Sequence, residues 1–222
     1  YCDHALLTAD PRLAKEVGQV FDLLERKIIM PKCKHLLVSP FTTRSGFEAL
    51  LKHEIKQAKA GRKAYAILKM NSLEDPEMIE KIYEACQAGV KVQLIVRGIC
   101  CAVPDVEGLS ENLEIISIVD RFLEHARVYI FGNGGEECLF LASADWMTRN
   151  LDRRVEVVFP VYDKKIREEI RHIINLQLED NTKARVINAE QNNPYHYQGG
   201  TPVRAQLATY QWLAKREPVG LQ

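Results

Sequence analysis

Residues 64–98 read AYAILKMNSLEDPEMIEKIYEACQAGVKVQLIVRG, and this stretch decides the fold. Residues 64–70 and 90–96 are apolar runs of strand length, and between them Asp75-Pro76 is a helix cap followed by proline at the first helical position. Met78, Ile79, Ile82 and Cys86 recur at helical spacing, and Gly89 supplies the stop. A strand, a helix and a second strand in that order need a crossover connection, which joins parallel strands.

The same rhythm extends upstream. Asp10-Pro11 repeats the cap signature, and Leu13, Val17, Val20, Phe21 and Leu24 keep one face apolar, so residues 11–26 are expected to be helical. Pro31 breaks that helix, residues 35–39 form a short buried strand, and Phe47, Leu50, Leu51 and Ile55 line a helix that ends near Gly61. Downstream of Arg97 the rhythm changes to strands at 113–119, 126–131, 138–142 and 154–160, with Gly134-Gly135 as the turn of a hairpin. Asp163 opens a helix with Ile166, Ile170, Ile173 and Ile174 inward, residues 180–201 form a long connection, and Val203, Leu207, Tyr210 and Leu213 lie on a last helix. The expected architecture is α/β, a mixed and largely parallel sheet flanked by helices.

The composition narrows the function classes. Thirty Lys and Arg against thirty Asp and Glu give no net charge over 222 residues, so any polyanion must be held by a local cluster, and a nucleic-acid partner is not expected. The six cysteines show no metal-ligand spacing and read as core thiols of a cytoplasmic protein. No apolar run is long enough to span a membrane.

In open α/β sheets, ligands gather beyond the carboxyl ends of strands. Lys69 and Asn71 end one strand, Arg97 with Gly98 ends the next, and Ser143-Ala144-Asp145-Trp146-Met147-Thr148-Arg149-Asn150 follows a later one. His125-Ala126-Arg127 adds an imidazole and a guanidinium two residues apart, on one face of a strand. Imidazole exchanges protons near neutral pH, and a guanidinium holds charged oxygens without titrating. A lone histidine is more often structural, but here Ser143, Asp145 and Asn150 are expected to orient it for phosphoryl chemistry. Arg149, Arg153 and Arg154 add a basic cluster, of which Arg153 and Arg154 point to opposite faces; an ion pair of Arg154 with Glu156 is the competing reading.

Taken together, Tyr1-Cys2-Asp3, residues 6–11, Leu68-Lys69-Met70-Asn71, residues 94–100, residues 116–131 and residues 143–150 resemble the C-terminal part of bacterial polyphosphate kinases of the first type. The likeness spans nearly the whole chain. It implies a phospholipase D-like half, with residues 1–32 closing the preceding catalytic domain and residues 33–222 forming the C-terminal catalytic domain. It implies reversible transfer of the terminal phosphate of ATP to inorganic polyphosphate through a phosphohistidine, with magnesium. By the resemblance the phosphohistidine and the magnesium-binding residues lie in a first half upstream of Tyr1, so no metal ligand is expected in this chain and the chain alone is expected to be inactive. Tyr1, Arg97, His125 and Arg154 match nucleotide-phosphate contacts, with His125 as the proton donor or acceptor; Lys69, Asn71, Arg127, Ser143, Asp145, Arg149 and Asn150 are support. ATP or ADP, polyphosphate and the upstream domains are the implied partners, in a homo-oligomer, with a cytoplasmic location and a peripheral membrane association. Two other readings compete: a phosphodiesterase half of the phospholipase D kind, against which the arginine of His125-Ala126-Arg127 speaks, and a module that only binds nucleotide or polyphosphate.

Overall fold

The computed structural model describes residues 1–197 and 199–216. Gln198 of the expected 180–201 connection and the C-terminal limit of the expected 33–222 domain lie outside them. In chain order the elements are α1 (Pro11–Leu24), β1 (Leu37–Ser39), α2 (Thr43–Lys59), β2 (Tyr65–Met70), α3 (Pro76–Gln87), β3 (Lys91–Val96) and β4 (Leu113–Ile118). Then follow β5 (Arg127–Phe131), β6 (Cys138–Ala142), α4 (Thr148–Asp152), β7 (Glu156–Pro160), α5 (Lys164–Leu178), β8 (Ala184–Val186) and α6 (Ala205–Ala214).

The strands form one eight-stranded sheet in the order β1-β7-β6-β5-β2-β3-β4-β8. It is mixed, with helices on both faces, but it is not largely parallel. Only β2 with β3 and β3 with β4 are parallel, and the other five pairings are antiparallel. The crossover through α3 imposes the parallel pair. The β5-β6 turn imposes the opposite, because Asn133, Gly134 and Gly135 all take positive φ (47°, 65° and 106°) and reverse the chain within three residues. Strand β1 is not beside β2 as the strand-helix-strand rhythm suggested; it lies at the far edge on β7, with β7, β6 and β5 between them. The rhythm fixes strand direction but not adjacency.

Side chains alternate cleanly across the sheet. Ala66, Leu68 and Met70 of β2 face Phe47 and Leu51 of α2 and Met78 and Ile82 of α3. On the other face, Ile67, Ile95, Ile116 and Ile130 meet Ile170 and Ile174 of α5 and Ala205 of α6. Ile166 of α5 and Leu207, Tyr210 and Leu213 of α6 are exposed, so these two helices bury narrower stripes than their sequences suggested.

Helix α1 ends at Leu24, two residues earlier than expected. It packs Leu13 and Val20 against Leu36 and Val38, and Val17, Phe21 and Leu24 stay exposed. The Glu16 carboxylate accepts hydrogen bonds from the backbone N–H groups of Lys34 (2.7 Å), His35 (2.9 Å) and Leu36 (2.8 Å), satisfying a stretch that has no strand partner. At the other end, Asp180 organises the connection into β8, accepting from the N–H groups of Thr182, Lys183 and Ala184 and, through its second oxygen, of Ala205. The cysteines are all unpaired, and Cys101 is exposed rather than in the core. Among the described residues no helix is long and apolar enough to cross a membrane.

Candidate functional site

The carboxyl ends of β2, β3 and β6 meet the starts of β5 and β7, because β5 and β7 run against their neighbours. Lys69 is registered with Val128, and Arg127 with Ala142. All the candidate residues except Tyr1 are therefore delivered to one end of the sheet by strand ends or the loops beyond them.

His125 stands just before β5, on backbone clamped by the N-terminal segment. Cys2 N donates to Leu123 O (2.7 Å), and His125 N and Ala126 N donate to Cys2 O (2.9 and 3.2 Å). The imidazole is half-buried, with Nδ1 2.7 Å from Oδ2 of Asp3 and the Tyr1 ring edge-on at 4.9 Å between centroids. Burial pushes the Asp3 carboxyl up, but the His125 bond and the His4 N–H outweigh it and hold the group below its ordinary value. A carboxylate on Nδ1 favours the tautomer with its proton there, which leaves Nε2 to give or take a proton.

Arg127 spans the other side of this histidine. Its NH1 donates to His125 O (2.9 Å) and lies 3.3 and 3.2 Å from the two ring nitrogens, and its Nε and NH2 bind the two oxygens of Asp145 (3.1 and 3.3 Å). Asp145 also accepts from Asn71 N (2.8 Å), so the loop after β6 is tied to the end of β2. Arg97 Nε donates to Asn71 Oδ1 (2.6 Å) and Glu124 O (2.5 Å), and Asn71 Nδ2 donates to His125 O (3.3 Å). Arg97 thus hangs, directly and through Asn71, on the carbonyls of Glu124 and His125.

Lys69 lies behind this layer, almost wholly buried, with Nζ 3.0 Å from Glu124 Oε2. Burial pushes its amine down, against the pull of Glu124. Trp146 fixes the loop after β6 from below: fully buried, it stacks on Tyr129 at 5.7 Å between centroids, and the Tyr129 hydroxyl donates to Ala144 O (2.7 Å). Ser143 and Asn150 do not orient the imidazole as expected. Both are held by Glu156, Ser143 through Oγ and Asn150 through Nδ2 (2.7 Å). Asp145 likewise serves Arg127, because β5 turns Arg127 toward the loop and leaves His125 to the N-terminal segment. Arg149 and Arg154 are joined only through backbone, Arg154 N to Arg149 O (3.1 Å); both side chains are exposed with no side-chain partner among the described residues, so the Arg154–Glu156 pair does not form.

A cavity of about 230 Å³ is lined by Asp3, His4, His125, Arg127, Ser143 and Phe159 among others, whereas Arg97, Lys69, Asn71, Arg149, Asn150 and Arg154 stand outside its lining. Sequence reasoning missed three contributors. Asp3 sat in the quoted Tyr1-Cys2-Asp3 motif, but its partner lies 122 residues away. Glu124 adjoins His125 in the sequence, and its pairing with Lys69 spans 55 residues. His4, which has no partner visible in the sequence, lines the cavity, and burial followed by the Lys69 charge pushes its imidazole below its ordinary value. Among the described residues no cluster of three or more His, Cys, Asp or Glu side chains is arranged to hold a metal ion.

Comparison with known proteins gives a consistent picture. The family model described as polyphosphate kinase C-terminal domain 2 matches residues 36–206. The polyphosphate kinase of Vibrio cholerae is 48% identical over 218 residues, covering 98% of this chain and 31% of that protein, and that of Escherichia coli K12 is 43% identical over the same length, covering 32% of it. The crystal structure of polyphosphate kinase from Porphyromonas gingivalis matches with a TM-score of 0.90 at 42% identity, covering 93% of this chain and 32% of that one. The chain therefore spans about a third of the length of these relatives.

Proposed function

The chain belongs to the polyphosphate kinase C-terminal domain 2 family, and from that premise we propose that it supplies the nucleotide-phosphate side of a polyphosphate kinase cleft. In the proposed reaction the terminal phosphoryl group of ATP passes reversibly to inorganic polyphosphate through a phosphohistidine held by residues outside this chain. His125 is the residue that gives or takes the proton at the leaving or attacking oxygen. Arg97 and Arg154 neutralise phosphate charge and Tyr1 flanks the imidazole, with Arg127, Lys69, Asn71, Asp145, Ser143, Asn150 and Arg149 as support. Phosphoryl transfer asks mainly for positioning and charge neutralisation, which is the work this set of groups can do.

The observation that carries this reading is the Asp3–His125 pair facing a small cavity, with Arg127 against the ring and Arg97 on the carbonyl of Glu124. Magnesium fits poorly on this chain. Asp3, Asp145, Glu124 and Glu156 are each engaged by histidine, arginine, lysine, amide or hydroxyl groups, so metal ligands are assigned to the rest of the longer protein. A cytoplasmic location, where ATP is at hand, completes the proposal.

The test is His125→Ala in the full-length protein, with polyphosphate formation from ATP as the readout and a phosphodiester substrate as a control. Turnover should fall by at least about a hundredfold without loss of folding, as for removal of a general acid-base group. Undiminished turnover, or hydrolysis of the diester instead, overturns the reading.

A further inference from the structure

The backbone that carries His125 is bridged to Cys2 at Glu124 but belongs to no regular strand before Arg127. Strand β4 stops at Ile118, β5 starts at Arg127, and residues 119–123 cross between them as irregular chain. Peptide groups in such a stretch need partners, and for Phe122 one side chain provides both. Gln206, in the first turn of α6, accepts from Phe122 N at Oε1 (3.0 Å) and donates through Nε2 to Phe122 O (2.8 Å) and to Glu124 Oε1 (2.8 Å). A glutamine amide that meets the N–H and C=O of one residue substitutes for a neighbouring strand. Arg204 reinforces it with a two-point pair to Asp120, Nε to Oδ2 (2.8 Å) and NH2 to Oδ1 (2.6 Å).

Those contacts lead directly to the site. The other oxygen of Glu124 takes Lys69 (3.0 Å) and Gln177 (3.1 Å), its carbonyl takes Arg97, and the next residue is His125. Helix α6 contributes little to the core, since Ala205 is its sole buried residue. Beyond the burial of Ala205, its first turn is therefore spent on the loop.

We infer that Gln206 is a positioning residue for His125: the first turn of α6 straps residues 120–124 and sets both the imidazole and the carbonyl to which Arg97 binds. This rests on the catalytic reading of His125 given above. Gln206→Ala removes three hydrogen bonds without touching the imidazole or any arginine of the cavity. A displacement of the histidine by a fraction of an ångström is enough to cost between about tenfold and a hundredfold in turnover.

The experiment compares Gln206→Ala, Gln206→Glu, Leu207→Ala and His125→Ala in the full-length protein, reading kcat and KM for ATP, thermal midpoint, and the imidazole NMR signals of His125. Gln206→Ala should lower kcat by about tenfold or more with KM changed less than about threefold, because the loss is felt in the transition state. Gln206→Glu should be equally slow, since it keeps the bond from Phe122 N but cannot donate to Phe122 O or Glu124; it also gives the answer if Gln206→Ala fails to fold. Leu207→Ala, on the same helix but exposed, should behave as the parent. Parental kcat in both Gln206 variants, while His125→Ala is inactive, overturns the strap and leaves the catalytic reading standing. If His125→Ala remains active, the catalytic reading falls, and the strap is judged by the His125 ring signals: a shift in Gln206→Ala supports it and unchanged signals overturn it.

Discussion

The carboxylate of Asp3 sits 2.7 Å from Nδ1 of His125 and is the acidic side chain that holds this ring. Asp3→Asn keeps the shape but presents an amide whose NH₂ can face Nδ1 and favour the opposite tautomer, with the proton on Nε2. Turnover of the full-length protein should drop by between about tenfold and a hundredfold, the usual cost of removing an orienting partner. Steady-state kinetics with ATP beside a melting curve checks it, and the melting temperature should barely move because Asp3 is at the surface.

Acid should loosen the molecule in a defined window. The carboxyls of Asp3, Glu16, Asp75 and Asp120 all lie below their ordinary values. For the first three, burial works upward and is outweighed by hydrogen bonds: from His125 to Asp3, from the N–H groups of residues 34–36 to Glu16, and from Arg44 to Asp75. For Asp120 the Arg204 bond is itself the largest cause. A carboxyl depressed in the folded state contributes stability that is fully present above its unfolded value, about 3.9 for Asp and 4.3 for Glu, and is lost as pH falls through the folded value. Urea midpoints should therefore decline below about pH 4 as these carboxylates protonate, after a shallower fall that begins below about pH 6.5 because the lowered imidazole of His4 takes up its proton more readily in the unfolded chain. Glu16→Gln should flatten part of that decline, and a wild-type midpoint independent of pH down to 3 would contradict the assignment.

Gly98 is fixed by contact rather than by conformation. Its N–H donates to Asn71 O at 2.8 Å, and a Cβ added there would stand 2.8 Å from the same oxygen, which is backbone and cannot swing away. Gly98→Ala should separate the ends of β2 and β3, destabilise by about 1–3 kcal/mol as an overpacked site, and disturb the Arg97–Asn71 hydrogen bond. Chemical denaturation gives the first quantity. Weaker nucleotide inhibition or a raised KM for ATP in the full-length protein reports the second.

The legible parts of this molecule are those written in local pattern. The β2-α3-β3 unit came from periodicity and the Asp75-Pro76 cap, and Asp75 does accept from Met78 N (3.0 Å). Arg97-Gly98 at a strand end and the His125-Ala126-Arg127 spacing were visible for the same reason. What stayed hidden is pairing across distance. Apolar alternation says which face of a strand is buried but is blind to neighbours, so the place of β1 beyond β7, β6 and β5 could not be read, nor could the antiparallel majority. Asp3, Glu124 and Gln206 are polar residues whose partners lie elsewhere in the chain, and no short-range pattern announces such a contact. The exposed faces of α1 and α6 carry apolar residues at helical spacing, a pattern that could not distinguish buried from exposed positions there.

Lys69 and Glu124 supply the last prediction, since both are almost fully buried and face each other at 3.0 Å. Replacing lysine alone, as Lys69→Met, leaves a carboxylate in the interior held by uncharged groups, the amides of Gln177 and Gln206 and the Cys2 thiol. That uncompensated charge should cost about 3–5 kcal/mol in urea unfolding. Lys69→Met with Glu124→Gln removes both charges at nearly constant volume, and recovery of most of the lost stability is expected because a buried ion pair gains little over a neutral replacement. Should the double variant be as unstable as the single one, the lysine stem's packing against β2's neighbours, rather than the charge of Glu124, would be what this position supplies. The single variant should also lose turnover out of proportion to stability, because Glu124 carries the carbonyl that Arg97 binds and immediately precedes His125.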